Sequence, residues 1–375
     1  MTRVEPMRSK PLFRALGVLA LAASASFAQP AAPASSEQPT REQIRTIEAE
    51  IASMASLRRF GLAQAPAKAE GAVRIATYNV ANLFDDTDDP ELSGDNDDAA
   101  ETKPLHERVA VAGAIRAVDA DVLALQEVES LEALLWFRDQ FLSGMGYDHV
   151  AAIDAGDNRG IDQAVLSRLP ITGSQNWPDH ALGGVHPEKY GNQDNFLAGQ
   201  PLNFRRSPLQ VDLTVPDADG GTRPITLFVV HHKSGRYSAY WREAEAAGVL
   251  AKIDELTKAH PDRPVLVLGD FNAETRDASV QAYLKSGFDD FFANRGSGDA
   301  IVTHESGRRI DLILANPAAK SQLAAQQAFV LGTPARPQGV NWRDMPTFPG
   351  MASDHYPVVV DLIPAGSANT PTPGG

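Results

Sequence analysis

An α/β fold of mixed sheets with helices on the outside is what this sequence predicts, and three observations carry it. From Ala72 to about Ile363, short apolar runs of β character alternate with helical stretches. Several runs alternate strictly, as in Gln210-Val211-Asp212-Leu213-Thr214-Val215, the pattern of a strand with one buried face. Several strands also follow each other without room for a crossover helix, which argues against a purely parallel sheet.

Taken in order, the expected strands are Val73 to Tyr78, Asp121 to Gln126, Gln163 to Ser167, Leu209 to Val215, Ile225 to Val230, Val265 to Leu268, Ile310 to Ala315 and Tyr356 to Leu362. The expected helices include Leu105 to Val118, Leu131 to Leu142 and Tyr240 to Lys258. Ahead of them, Ile44, Ile47, Ile51, Met54 and Leu57 recur at helical spacing among charged residues and predict one amphipathic helix packed on the body or a partner. Asp85 to Glu101 holds seven aspartates and two glutamates but lacks the Asp-x-Asp-x-Asp-Gly order of a calcium loop, so a solvated loop is expected.

Composition bounds the chemistry. With 375 residues, 43% hydrophobic and 22% charged, the chain has the make-up of a globular protein with a sizeable core. Its formal charge of −14 argues against coating nucleic acid through a broadly basic surface, and leaves only local basic strips. There is no cysteine, which removes disulfides, thiolate metal sites and cysteine nucleophiles.

Residues 1–28 read as an export signal. Arg8, Lys10 and Arg14 precede an apolar run from Ala15 to Ala28, and Ser26-Phe27-Ala28 fits a small-x-small cleavage rule. The run is shorter than the roughly 20 residues of a membrane span. The segment carries four basic residues and one acid, so its removal takes the charge from −14 to −17. Residues 29–71 are expected to be linker and amphipathic helix, 72–364 a single catalytic domain and 365–375 a disordered tail. A secreted or periplasmic product without stable membrane insertion follows. Nothing in the sequence sets an oligomeric state.

The candidate chemistry lies where polar residues end apolar β-runs, places from which a sheet presents side chains rigidly. Asn79, Glu127, His231 and Asp270 each end such a run. In Gly269-Asp270-Phe271-Asn272 an extended chain places the carboxylate and the amide on one side, where they can share a phosphate, a metal or an attacking water. His355, in Ser353-Asp354-His355-Tyr356-Pro357, suits acid or base chemistry if a carboxylate fixes its tautomer, and Asp311 is the natural partner.

The runs Tyr78-Asn79-Val80, Leu125-Gln126-Glu127, His231-His232-Lys233-Ser234, Gly269-Asp270-Phe271-Asn272-Ala273, Ile310-Asp311 and Ser353-Asp354-His355-Tyr356-Pro357 occur in the order expected of the endonuclease/exonuclease/phosphatase superfamily. The chain resembles that superfamily from Val73 to Leu362, and its Asn79-x-x-Asn82-Leu83-Phe84-Asp85 run resembles exported nuclease-type members. The resemblance implies a deoxyribonuclease I-like fold: a four-layer sandwich of two mixed β-sheets packed face to face, with helices on the outer faces. It also implies a metal-dependent phosphodiester hydrolase acting on DNA or RNA, with a phospholipid or a small phosphoester as the alternative substrate.

Carried over residue by residue, the resemblance makes Glu127 the principal metal ligand, with Asn79 beside it and Asp354 in support. Magnesium is the expected ion, with manganese or calcium compatible. Asp270 and Asn272 would orient water and phosphate, His231 and His355 would donate to phosphate oxygens, and Asp311 would pair with His355. Arg205 or Arg206 resembles a phosphate-contacting arginine, Lys233 belongs to the His-x-Lys-Ser run, and Arg242 is placed to support the site. Arg205, Arg206, Lys233, Arg236, Arg276, Arg308 and Arg309 are expected to form a local basic rim. Two departures stand out. Ala81 occupies a position that is acidic in many relatives, which leaves the number of metals open. The segment from Met145 to Ala152, where relatives carry a glutamate that orients the first histidine, offers only Asp148.

Overall fold

The computed structural model describes residues 38–87, 102–178, 180–293 and 298–365. The expected export signal, residues 29–37 of the linker, residues 88–101 of the acidic insertion and residues 366–375 of the tail lie outside the described residues.

In chain order come α1 (Arg41–Ser53), β1 (Val73–Leu83), α2 (Leu105–Val118), β2 (Val122–Val128), α3 (Leu131–Phe141), β3 (His149–Ala152), β4 (Asp162–Ser167) and β5 (Ile171–Gln175). Short strands follow: β6 (Ala181–Val185), β7 (Lys189–Tyr190), β8 (Gln193–Asp194) and β9 (Pro201–Asn203). Then come β10 (Leu209–Pro216), β11 (Thr222–His231), α4 (Ala239–Ala259), β12 (Val265–Asp270), α5 (Ala278–Lys285), β13 (Asp289–Asp290), β14 (Asp311–Ala315), α6 (Pro317–Gln322), β15 (Leu323–Val330) and β16 (Val358–Pro364).

Two six-stranded mixed sheets, ordered β15-β16-β1-β2-β4-β3 and β13-β14-β12-β11-β10-β5, form the body. Each has one parallel pair among the described residues, β1 with β2 and β11 with β12, and every other pairing in it is antiparallel. The parallel pairs are the two joined by a crossover helix, α2 in the first sheet and α4 in the second, as a parallel connection requires. Ligand sites in such units gather at the carboxyl ends of the parallel strands. Those ends carry Asn79, Glu127, His231 and Asp270.

Period-two alternation builds the layers. Ile75, Val122 and Ala124 from one sheet meet Leu227, Val229, Leu266, Leu268 and Ile313 from the other in a central core. Their neighbours face outward: Ala76, Leu123 and Leu125 pack under α2 and α3, and Phe228, Val230, Val267 and Leu312 under α4 and α5. The fold is thus the four-layer sandwich, helix on sheet on sheet on helix.

The amphipathic segment forms α1, started by a capping box in which Thr40 and Gln43 satisfy each other's backbone amides. Ile44, Ile47 and Ile51 pack on the outer layer of the first sheet, so this helix lies on the body. The eight expected strands fall on β1, β2, β4, β10, β11, β12, β14 and β16; seven agree at both ends to within three residues, and β1 runs five residues further than expected, to Leu83. Edge strands β3, β5, β13 and β15 were not expected, and the segment 175–206, read as loop-rich, contains β6 to β9.

Candidate active site

Local backbone geometry aims the side chains. Where β2 pairs with β4 the register shifts between Gln126 and Val128, leaving Glu127 as an extra residue with φ +65°. A bulge of this kind re-aims a side chain, at a cost the surrounding sheet must offset. Asn272 is likewise left-handed, φ +49°, with its amide N–H held by Asp270 Oδ1 at 2.7 Å.

Asn79 joins the two sheets: its Nδ2 lies 3.3 Å from both Glu127 Oε1 and Asp270 Oδ2. Asn272 Nδ2 donates to the same Asp270 oxygen at 3.0 Å and to the His232 carbonyl at 3.0 Å. His231 Nε2 stands 3.5 Å from Asp270 Oδ2 and 3.8 Å from Glu127 Oε1. His355 completes the cluster, with Nε2 3.8 Å from Asp270 Oδ2 and Nδ1 2.9 Å from Asp311 Oδ2.

Sheet register brings these groups together. Asp270 and Asp311 are antiparallel partners on β12 and β14, and Thr303 Oγ1 accepts the Asp311 amide at 3.0 Å. His355 arrives from the other sheet, where Ser353 Oγ donates to the Asn79 carbonyl and accepts the His355 amide. Seven predicted residues, Asn79, Glu127, His231, Asp270, Asn272, Asp311 and His355, therefore share one site.

Burial and neighbouring charge split their titration. Burial raises the Asp270 carboxyl to about 6; the His355 charge opposes this, and Asp311 and Glu127 add to it. Burial works against a charge on His355, but Asp311 and Asp270 outweigh it and hold its pKa well above the ordinary imidazole value. His231 goes the other way: burial, then the charges of Arg206 and Arg159, keep it neutral. One site thus holds a carboxylate near its working pH, a cationic imidazole and a neutral one, the combination that acid–base chemistry needs.

A model of the endonuclease/exonuclease/phosphatase family matches residues 76–355. The chain belongs to this family. Among solved structures it is similar to the human nocturnin catalytic domain with bound sulfate, at 17% identity and TM-score 0.53 over 83% of this chain and 99% of that one. It is also similar to an endonuclease/exonuclease/phosphatase family protein of Bacteroides thetaiotaomicron, at 19% and 0.52 over 78% and 94%. A humanized D. rerio TDP2 aligns at 17% and 0.50 over 78% and 99%. A search of curated proteins gave no match. These likenesses establish the deoxyribonuclease I-like fold, and the family is one of metal-dependent phosphoesterases.

The donor set fits the divalent cation of such a phosphoesterase. Glu127 Oε1 and Asp270 Oδ2 converge on one amide, and the Asp311 and Glu127 carboxylates add to the rise that burial imposes on Asp270. Oxygen ligands with surplus negative charge suit a hard ion. Two further trios, Asp270-Asp311-His355 and His304-Asp354-His355, bring one ligand atom each within 4.8 Å of one another. Asp354 itself turns to His304, Oδ2 to Nε2 3.5 Å, and the His304 and His355 rings meet edge to face at 4.6 Å.

The predicted substrate arginines stand elsewhere than at an open rim. Arg206 is buried, and both it and Arg205 pair with the buried Asp157. The Arg242 guanidinium donates to the Lys233 and Gly235 carbonyls and so braces the loop after β11. Of the expected basic rim, Arg276 pairs with Glu274 and Arg309 with Asp290, while Lys233, Arg236 and Arg308 carry no salt bridge among the described residues. Asp148 is exposed, and buried His231 Nδ1 has no hydrogen-bond partner, so the orienting carboxylate that the resemblance led one to expect has no counterpart among the described residues.

Sequence reasoning missed three residues. Arg159 reaches Glu127 Oε2 at 3.3 Å and also bonds Asn82. Asp157 gathers the two arginines. Glu245, fully buried on α4, accepts the Arg205 amide at 2.9 Å and the Lys233 amide at 2.7 Å and faces His232 Nδ1 at 3.3 Å. Its place among the charges of a helix gave no signal. His232, left open by sequence, is a core imidazole whose Nε2 meets Tyr283 Oη at 3.1 Å.

Proposed function

We propose that this chain is an exported, divalent-metal-dependent phosphodiester hydrolase, most specifically a nuclease cleaving DNA or RNA. The observation that carries the reading is the convergence of Asn79, Glu127, His231, Asp270, Asn272 and His355 between the parallel-strand ends of two sheets. Export rests on the basic and then apolar order of residues 1–28. Among the described residues no helix is long and apolar enough to cross a membrane.

Glu127 and Asn79 would hold the ion, magnesium first among those that suit oxygen ligands, with Asp354 in support. When bound, it supplies positive charge that offsets the repulsion between a phosphodiester and its nucleophile. The chain's own groups do the rest. Asp270, whose burial raises its pKa to about 6, takes the proton of a water, and Asn272 Nδ2, bonded to Asp270 Oδ2, fixes that carboxylate's orientation. His355, kept protonated by Asp311, donates from Nε2 to a phosphate oxygen, and neutral His231 donates from its own Nε2.

A second reading, a small phosphoester substrate, is favoured by the carboxylate pairing of Arg205, Arg206, Arg276 and Arg309, which leaves little free positive charge for a polyanion. The test is nicking of supercoiled plasmid by the purified chain with magnesium, with a chelator, and by His355→Ala, across a salt series. Cleavage that needs metal and His355 and weakens steeply with salt supports the nuclease. No nicking by a preparation that hydrolyses a small aromatic phosphodiester transfers the assignment to small substrates, and no hydrolysis of either overturns both.

A further inference from the structure

Beyond His231 the chain runs on as Lys233-Ser234-Gly235-Arg236-Tyr237 and forms one wall of a cavity of about 310 Å³. Tyr190, Asn195 and Phe196, in the segment read as loop-rich from sequence, also line it. This volume is at the small end of the roughly 300–1,000 Å³ of small-ligand sites. Lys233 is two residues from His231, and Arg242 pins the Lys233 and Gly235 carbonyls at 2.9 and 3.0 Å, so the cavity is held at a fixed offset from the cluster around Asp270.

The walls are aromatic and braced from behind. Tyr240 Oη bonds His186 Nδ1 at 2.9 Å and Asn195 Nδ2 at 3.2 Å, and Trp241 Nε1 donates to the Asn203 carbonyl at 2.7 Å. The His186 ring meets Trp241 edge to face at 4.4 Å. In front, Phe196 is 82% exposed and Tyr237 45%. Tyr237 lies against the backbone of Gly191, where an added Cβ would come within 2.8 Å of its ring. Solvated aromatic faces on a braced wall are ready to be covered, since burying them against a ligand is favourable.

The polar complement narrows the occupant. Lys233 and Arg236 line the cavity, both without a salt bridge among the described residues, and no carboxylate lines it. Asn195 is already engaged, with Nδ2 on Tyr240 and Oδ1 on the Leu197 amide. A flat heterocycle beside a phosphate finds ring faces and two cations.

We propose that this cavity is a nucleobase subsite, in which the base of a nucleotide stacks on Tyr237 and Phe196 while its phosphate lies between Lys233 and the Asp270 cluster. The proposal rests on the phosphoesterase reading for the position of the phosphate, and it narrows the substrate class to nucleotides or nucleic acid.

The test is calorimetric titration of the full chain, in chelator, with adenosine 5′-monophosphate, ribose 5-phosphate and inorganic phosphate. Base stacking on an aromatic side chain is expected to make the nucleotide bind about tenfold tighter than ribose 5-phosphate. Tyr237→Ala combined with Phe196→Ala, both at exposed positions, is expected to bring that ratio near one and leave ribose 5-phosphate affinity unchanged. Gly191→Ala, which displaces the Tyr237 ring while keeping it, is expected to lower the ratio as well. A ratio near one in the wild type, or a ratio untouched in the double variant, overturns the proposal. Hydrolysis of a small aromatic phosphodiester, measured in parallel, separates the two ideas: the tenfold preference without hydrolysis sustains the subsite and removes the chemistry, whereas hydrolysis with a ratio of one does the reverse.

Discussion

Both carboxylate oxygens of Asp311 lie within hydrogen-bond distance of His355 Nδ1, at 3.0 and 2.9 Å, and both side chains are buried. The pair crosses from one sheet to the other, so it fixes the imidazole's tautomer and also the distance between the layers. Asp311→Asn keeps the size of the side chain but removes its charge. The expected result is a fall in turnover of about 10² to 10⁴, with the alkaline limb of the pH profile moved to lower pH, because the charge that helps to raise the His355 pKa is gone. Stability follows the same sign. A histidine whose folded pKa is raised stabilises fully below about pH 6.5 and loses that contribution as pH rises through the folded value. Asp311→Asn should therefore cost more stability at pH 6 than at pH 10, and equal cost at both would remove the linkage.

Asp270 gives the opposite kind of variant. Its folded pKa, about 6, stands above the ordinary 3.8, so the folded state holds the proton more tightly. Its contribution to stability is greatest below pH 3.8 and falls as pH rises from there through about 6, leaving a penalty at neutral pH on the order of 1 to 3 kcal/mol. Asp270→Asn removes the ionising group while keeping an oxygen for the Asn272 amide. In chelator the variant should gain on the order of 1 kcal/mol at pH 7.5 and nothing at pH 3.5, with activity lost. Thermal unfolding at the two pH values checks it; an equal shift at both would falsify the charge argument.

How much of this was legible in the sequence depends on what each residue announces. Asn79, Glu127, His231 and Asp270 end apolar β-runs, and that position alone marked them before the sheets were known. The central strands were equally plain, because their β-branched, apolar alternation is buried on both faces. Edge strands were not: Leu323–Val330 reads Leu-Ala-Ala-Gln-Gln-Ala-Phe-Val, with little β propensity, and pairs because Val358–Pro364 offers it an edge. The burial of Arg206 and the role of Glu245 were illegible for a related reason. A charged residue in a loop or helix looks solvated by default, and only the fold reveals that Asp157 and two backbone amides hold these two inside.

Glu245 is the residue whose importance the fold alone discloses. Its carboxylate satisfies two backbone amides, Arg205 and Lys233, on the two segments that flank the site. Glu245→Ala leaves both buried donors unpaired and is expected to cost about 3 kcal/mol or more, since each unmet group costs about 1 to 3 kcal/mol. Glu245→Gln keeps one acceptor oxygen and should cost roughly half as much. Denaturant unfolding of the two variants orders them, and an alanine variant as stable as the glutamine one would show that water replaces the lost carboxylate.

Gly269 decides whether β12 can approach β11 at all. It is the register partner of Val230 in the parallel pair, with φ +138°, a region closed to other residues. A Cβ at Gly269 would stand 2.0 Å from the Val230 carbonyl oxygen, a backbone atom that cannot rotate away. The next residue is Asp270, whose Oδ2 lies 3.5 Å from His231 Nε2 across the same pair, so close approach of these strands is what assembles the site. Gly269→Ala is expected to destabilise by about 4 kcal/mol or more, among the largest effects of single substitutions. Gly113→Ala, on α2 with no atom within 4 Å of the added Cβ, is the matched control and should be neutral or stabilise by up to about 1 kcal/mol. If both variants unfold at the wild-type denaturant midpoint, the strand separation is softer than the backbone contact implies, and the site's geometry must be held by the side chains of Asn79 and Asn272 instead.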